Sequence, residues 1–138
     1  MKYQSIVLAL SCSESSSPVI EVAFDCVKQY NADLKVLHVN DPAAGKMSMM
    51  MDGAGHKYTE PEIMDMLMAR NSDLNTDAVH IQILTSEDIP EAVSMAVVEG
   101  DLLVVGHRRM TIIKEKLSDS LDQQIINKVN CHSLVIPI

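Results

Sequence analysis

Short apolar runs alternate with segments of helical periodicity along the whole chain, and this alternation constrains its fold more than any other feature. Continuous apolar runs are typical of strands buried on both faces of a parallel sheet. The segments between them carry apolar residues on one helical face. Strict alternation of strands and helices indicates parallel strands joined by right-handed crossovers. We therefore predict an α/β fold, an open, doubly wound, five-stranded parallel sheet with helices on both faces, Rossmann-like, with strand order 3-2-1-4-5.

The predicted strands cover residues 6–10, 34–39, 79–84, 102–105 and 134–138. The third strand alternates apolar and polar residues, which is typical of an edge strand with one wetter face. Pro18 is predicted to be the first helical residue after the N-cap Ser17, and the third helix is predicted to end at Gly100. The other helices are predicted to begin at pairs with capping-box spacing: Thr59 with Glu62, Asp88 with Glu91, and Ser120 with Gln123.

Length and charge narrow the classes of function. The 138 residues suffice for one domain with one core, so residues 1–138 are predicted to form a single domain. The net charge of −8 opposes binding to phosphate backbones, so we expect no nucleic-acid partner. No apolar run approaches the ~20 residues of a membrane helix. The three cysteines are widely spaced and form no CxxC pair, which is typical of a protein in the reducing cytoplasm.

Ligands of open α/β sheets bind beyond the carboxyl ends of the strands, where the strand order reverses. In the predicted sheet, the loops after Leu10, Val39 and Gly106 lie at that edge. We therefore expect these three loops to form any ligand site.

Four blocks of the sequence resemble segments of the universal stress protein family. Residues 6–15 are similar to the family's first strand and the loop after it, and residues 37–39 to its Leu-His-Val. Residues 101–106 resemble its Asp-Leu-Ile-Val-Met/Val-Gly, and residues 131–136 its Cys-Pro-Val-Leu-Val-Val ending. The similarity covers the whole chain. It implies the fold predicted above, a function in the stress response and a crevice related to the family's nucleotide site.

The resemblance is incomplete at the family's phosphate motif. Members of the family that bind ATP carry G-x-x-G, nine residues, and then G-[S/T], because glycines let backbone N–H groups approach the phosphates. Gly106 and Ser120 match this motif. Arg109 stands where its second glycine belongs, and Asp119 stands where its third belongs.

The first-strand part of the family's site also differs. The resemblance places Ser11 where the family has an Asp directed toward the adenine, and Cys12 where it has the next glycine. It thus implies a degenerate nucleotide crevice, comprising Ser11, Val39, Gly106, His107, Arg109, Asp119 and Ser120.

These replacements lead to two hypotheses about ligands. The Arg109 side chain takes space that phosphates need, and the Asp119 carboxylate repels them by on the order of a kcal/mol or more. We expect a salt bridge between Arg109 and Asp119 to fill the site, leaving no cofactor and no ATP in the family's usual pose. The alternative is a module that binds ATP or AMP through side chains, because residues 106–120 hold four of the eleven basic residues: Arg108, Arg109, Lys114 and Lys116.

Other candidate sites have simpler interpretations. The methionines of residues 41–57 and His56 lack the regular spacing of Cu(I) sites, so these residues are expected to pack against a partner. Cys12 has no second cysteine near it in the sequence and is expected to be a buried or inert thiol. His38 is expected to be a core or crevice histidine, whereas His107 lies where a ligand would bind. Local motifs form no Ser-His-Asp or Cys-His arrangement, so no enzyme is predicted.

The last predicted strand offers a surface for association. Residues Leu134 to Ile138 form an apolar strand at a sheet edge, and such an edge favours pairing with another strand. This strand resembles the family's dimerisation element, which pairs antiparallel with its copy, although Pro137 limits the length of the ladder. We therefore expect a non-enzymatic homodimer that acts through further protein partners.

Overall fold

The computed structural model describes residues 2–12, 16–43, 56–107 and 121–138 of the chain. The strands are β1 Ser5–Ala9, β2 Asp33–Asn40, β3 Val79–Thr85, β4 Leu102–His107 and β5 His132–Pro137. The helices described are α1 Ser17–Tyr30, α2 Glu60–Arg70, α3 Ile89–Ala96 and α4 Leu121–Lys128, and the short 3₁₀ turn Thr76–Ala78 precedes β3.

The strands form one sheet in the order β3-β2-β1-β4-β5. Every neighbouring pair in this sheet is parallel. The fold class and the strand order predicted from the sequence are therefore confirmed. The chain order reverses at β1, which lies between β2 and β4, and this reversal marks the edge where ligands bind in folds of this type.

Helices cover both faces of the sheet and fully bury the middle of its central strand, Ile6 to Leu8. On one face, Ile6 and Leu8 of β1 belong to a cluster that also contains buried residues of α1 and α2. On the other face, Val7 belongs to a cluster that includes Val93 of α3 and Ile125 of α4. Alternate residues of β1 point to opposite faces of the sheet. Since helices cover both faces, the residues on each face must be apolar. Each such buried side chain stabilises the fold by roughly 2 kcal/mol.

The capping sequences begin α2 and α3 as predicted. The backbone N–H of Thr59 donates to the Glu62 carboxylate at 3.2 Å, as expected for a capping box. The Asp88 carboxylate accepts from the Glu91 backbone N–H at 3.1 Å. These contacts fill hydrogen-bonding positions that the first turn of a helix otherwise leaves open.

Two predicted helix ends are wrong. The N-cap of α1 is Ser16, one residue before the predicted Ser17. Helix α3 ends at Ala96, well before the predicted Gly100. The Lys35 ammonium of β2 donates to the Ala96 carbonyl at 2.6 Å and so satisfies one of the last helical carbonyls. This contact joins residues far apart in the sequence, which is why the local pattern did not reveal it.

Strand β4 is longer than predicted. Gly106, expected to close the strand, and His107, expected in the loop after it, are its last two residues and pair with Ile136 and Pro137 of β5. The Ile138 backbone N–H donates to the His107 carbonyl at 2.9 Å and extends this pairing. The neighbouring strand therefore holds Gly106 and His107 in extended backbone.

Candidate functional site

A pocket of about 170 Å³ lies at the carboxyl ends of β1 and β2. Its walls come from the start of α3 and from α4. Ser11 and Val39, both predicted crevice residues, line this pocket, so the structure brings these two together. The remaining lining residues are mostly apolar: Ala9, Leu10, Leu37, His38, Ile89, Val93, Leu121 and Ile125.

The apolar lining follows from the position of the pocket. Leu37 lies within β2, and Val93 and Ile125 pack with it on the same face of the sheet as part of one buried cluster. The pocket is thus an opening of the core at the reversal of strand order. Such a surface suits an uncharged, flat group, because binding it removes apolar area from water.

Gly106 has a packing role in this structure. A Cβ atom at this position would lie 3.0 Å from Val19 Cγ2 and 3.1 Å from Ile138 Cδ1. Any side chain would therefore press on α1 and on the end of the chain. The glycine that matches the family's phosphate motif is thus explained by close packing, and its presence alone does not indicate a phosphate site.

His107 and Asp122 form a pair at the end of β4. The His107 Nδ1–H donates to both oxygens of the Asp122 carboxylate, each at 2.9 Å. The Asp122 side chain is 8% exposed and the His107 side chain is 32% exposed. The carboxylate orients the ring, and the ring compensates the buried negative charge.

The other predicted crevice residues, Arg109, Asp119 and Ser120, lie outside the described residues. The expected salt bridge between Arg109 and Asp119 therefore stays a prediction. So does the side-chain phosphate site that involves Arg108, Arg109, Lys114 and Lys116.

Cys12 follows β1 and adopts a left-handed backbone conformation, with φ of 62°. This conformation favours glycine, the residue that the family resemblance places here. The Cys12 Sγ lies 3.5 Å from His38 Nδ1. Burial, with a smaller effect from the Glu62 carboxylate, raises the pKa of the Cys12 thiol to about 12. The thiol is therefore protonated at neutral pH, as expected for a buried and unreactive cysteine.

His38 is a buried histidine with hydrogen bonds at both ring nitrogens. Its Nδ1 lies 2.7 Å from the Leu10 carbonyl, and its Nε2 lies 3.0 Å from Asn40 Oδ1. These contacts join the ends of β1 and β2 beneath the pocket. The prediction of a core or crevice histidine is confirmed, because His38 is both buried and part of the pocket lining.

The Asn40 side chain holds the segment that directly precedes α2. Its Nδ2 donates to the Tyr58 carbonyl at 3.0 Å, and its Oδ1 accepts from the Tyr58 backbone N–H at 3.2 Å. The Tyr58 hydroxyl donates to the Cys12 carbonyl at 3.3 Å. Asn40 is only 2% exposed, so these bonds are made largely out of contact with water.

His56 precedes this junction and contacts α2. Its Nε2 lies 2.6 Å from the Glu62 carboxylate. The hydrogen bond from His56 lowers the pKa of the Glu62 carboxyl, and the contact with Thr59 adds to this effect. Among the residues that the structure describes, no group of His, Cys, Asp and Glu side chains could hold a metal ion. The neighbouring methionines 47 and 49–51 lie outside these residues.

Sequence reasoning missed Asp122, Asn40 and Tyr58. Asp122 lies fifteen positions from its partner His107, and no local motif joins the two. A weak signal was present for Asn40, since a polar side chain at the end of a buried strand requires hydrogen-bonding partners. Its partner Tyr58 lies 18 positions further along the chain and could not be identified from spacing.

Comparisons with known proteins agree with the fold. The model of the universal stress protein family matches residues 2–137. A universal stress protein solved in complex with cAMP is 17% identical, with a TM-score of 0.65, and the match covers 99% of this chain and 98% of that one. The universal stress protein UspA from Lactobacillus plantarum is 15% identical, with a TM-score of 0.60 and 99% of both chains covered.

A third similar structure is the universal stress protein from Archaeoglobus fulgidus in complex with dAMP. It is 14% identical, with a TM-score of 0.53 and 99% of both chains covered. No curated protein sequence matches the chain. Among the described helices, none is both long and apolar enough to cross a membrane.

Proposed function

The chain belongs to the universal stress protein family, and on that premise we propose that it is a cytoplasmic, non-enzymatic stress-response protein that does not hold ATP in the family's usual pose. The proposal has three parts: the crevice excludes the ATP phosphates, the protein has no catalytic role, and it acts as a homodimer through other proteins.

The His107–Asp122 pair carries the first part of this proposal. The buried Asp122 carboxylate contacts His107 at the end of β4, and His107 directly follows Gly106, which matches the first glycine of the family's phosphate motif. Phosphate groups brought beside this carboxylate would be repelled in a partly desolvated crevice. The Asp119 carboxylate adds to this repulsion, and the Arg109 side chain takes the space that phosphates need. The apolar pocket remains, but its phosphate end has the wrong charge for ATP.

Thermal unfolding with ATP and magnesium tests this part. We expect the wild-type melting temperature to stay unchanged, whereas the double variant Arg109→Gly/Asp119→Gly should gain ATP binding, which the remaining Asp122 carboxylate weakens. Ligand at about 100 times its Kd adds about 2.7 kcal/mol to stability, which is roughly 10 °C for a chain of this length. A similar rise in the wild-type protein, or adenine absorbance in the purified protein, would contradict the proposal. Failure of the double variant to bind would show that Arg109 and Asp119 do not close the site.

The alternative function is a nucleotide-binding module with a side-chain phosphate site. Two observations favour it: two similar structures were solved with cAMP and with dAMP, and His107, at the end of β4, exposes about a third of its side chain. In this case AMP or cAMP should raise the wild-type melting temperature. Arg108→Gln and Arg109→Gln should then each weaken that effect, since phosphate contacts would come from these side chains.

The free edge of β5 supports the proposed homodimer. Among the strands that the structure describes, β5 lies at the end of the sheet and pairs with β4 alone. Leu134 and Val135 on this strand are 38% and 37% exposed, which is high for neighbouring apolar residues. An exposed apolar edge strand favours pairing with a second copy, as the resemblance to the family's dimerisation element implies.

The mass in solution tests the dimer. We expect a dimeric mass at micromolar concentration, and we expect Val135→Lys to give a monomer because two added charges would face each other across the symmetry axis. Met68→Lys on α2 is the matched control, since Met68 is 39% exposed and lies on another surface. A monomeric wild-type protein, or a Val135→Lys variant that stays dimeric, would refute pairing through β5.

A further inference from the structure

The His107–Asp122 pair has a chemical consequence beyond charge. The carboxylate accepts the Nδ1–H of His107 through both oxygens, so the proton of the neutral ring is held on Nδ1. The lone pair of the neutral ring then lies on Nε2. Among the described residues, Nε2 has no hydrogen-bonding partner, and the side chain is 32% exposed. A carboxylate that accepts from a histidine in this way fixes the tautomer and the orientation of the ring.

None of the other four histidines has both a carboxylate that orients its ring and an unengaged Nε2 among the described residues. Both ring nitrogens of His38 are engaged and the residue is buried. The Nε2 of His56 contacts the Glu62 carboxylate, and the Nδ1 of His132 contacts the Tyr3 hydroxyl at 3.0 Å. His80 is exposed on β3, but no described carboxylate orients it. His107 is therefore the one histidine of the described residues that joins an orienting carboxylate to an accessible Nε2.

We propose that Nε2 of His107 is a phosphorylation site for small donors of high phosphoryl-transfer potential, such as acyl phosphates or phosphoramidate. The ring is partly exposed, and its Nε2 lies on the side away from Asp122, which contacts Nδ1. A small donor at Nε2 therefore stays clear of the carboxylate that repels phosphates bound beside it, while the same carboxylate supplies the negative charge that the modified ring requires. The proposal is independent of nucleotide binding, because neither donor contains a base or a sugar.

The transfer balances without a further reactant. The Nε2 lone pair forms the N–P bond while the P–O bond to the acyl group breaks, and the acyl carboxylate leaves with that electron pair. The proton on Nδ1 stays in place. The phosphorylated ring then carries a formal positive charge, which the Asp122 carboxylate stabilises across the two Nδ1–H···O contacts. Asp122 acts as a positioning residue and takes no part in bond formation.

Incubation of the full chain with phosphoramidate or acetyl phosphate, followed by mass spectrometry under alkaline conditions, tests the proposal. We expect phosphate to accumulate on His107 at least about tenfold faster than on His80, although His80 is more exposed; loss of a carboxylate behind a functional histidine typically costs 10–100-fold. His107→Gln should abolish the main modification, whereas the matched control His80→Gln should leave it unchanged. Equal labelling of the two histidines, or no label on His107, would overturn the proposal.

The role of Asp122 is tested with Asp122→Asn and a readout that simple loss of stability does not change. Long-range ¹H–¹⁵N NMR of the neutral wild-type ring should show a protonated Nδ1 and an unprotonated Nε2 on His107. In the Asp122→Asn variant the tautomers should mix, and labelling should slow by about tenfold, while circular dichroism checks that the variant is folded. An Nε2-protonated ring in the wild-type protein would refute the assignment.

Discussion

An Asn40→Ala variant is expected to unfold about 3 kcal/mol more easily than the wild-type protein, because it leaves one buried and two partly buried polar groups without their partners. These groups are the Nε2–H of His38 and the backbone N–H and carbonyl of Tyr58. Each unsatisfied group costs about 1 kcal/mol or more when water has poor access. Asn40 is 2% exposed, so water can replace its amide only if the surrounding structure opens.

Chemical denaturation monitored by circular dichroism measures this loss, and the melting temperature should fall by roughly 10 °C. Asn40→Asp is the informative companion, since its carboxylate still accepts from His38 and from the Tyr58 N–H but cannot donate to the Tyr58 carbonyl. We expect it to lose about half as much stability. Asn75→Ala is the matched control, because the exposed Asn75 side chain makes only a local contact with the Asp77 N–H. Equal stability of Asn40→Ala and Asn75→Ala would show that Tyr58 is not held by Asn40.

The success of the fold prediction has a local cause. Strands such as β1 must be apolar at every position because both faces are covered, and helices such as α3 must show one apolar stripe. These requirements act over a few neighbouring residues, so the sequence displays them directly. The capping contacts of Thr59 and Asp88 are also local and were predicted correctly. The prediction that α3 ends at Gly100 was wrong, because the helix ends at Ala96, whose carbonyl accepts from the Lys35 ammonium of β2.

The site was less predictable because its contacts join distant parts of the chain. The resemblance to the family drew attention to Gly106, but close packing against Val19 and Ile138 explains that glycine. For Cys12 the sequence predicted an inert thiol, and burial confirms this. The sequence did not reveal His38 beside its sulfur or Asp122 beside His107. Partners of this kind become visible only when the strand ends are brought together.

The second large effect is expected for His107→Leu, which removes the partner of the buried Asp122 carboxylate. Removing the ring leaves the buried carboxylate without this hydrogen-bond donor, and an uncompensated buried charge typically costs about 3–5 kcal/mol. His107 is partly exposed, so we expect the lower end of this range, about 3 kcal/mol. The double variant His107→Leu/Asp122→Leu should recover most of the loss, since it replaces the pair with apolar side chains beside Leu121 and Ile125 of the pocket lining.

Chemical denaturation of the two single variants and the double variant at neutral pH gives a double-mutant cycle for His107 and Asp122. We expect a coupling of about 2 kcal/mol or more between the two positions, whereas independent residues add within about 0.5 kcal/mol. Lys128→Leu serves as a control, because Lys128 contacts Glu91 at 3.3 Å in an exposed pair that should contribute little. A His107→Leu variant as stable as the wild-type protein would mean that water already compensates Asp122. In that case the carboxylate would repel phosphates only weakly, and the electrostatic reason for excluding ATP from the crevice would be lost.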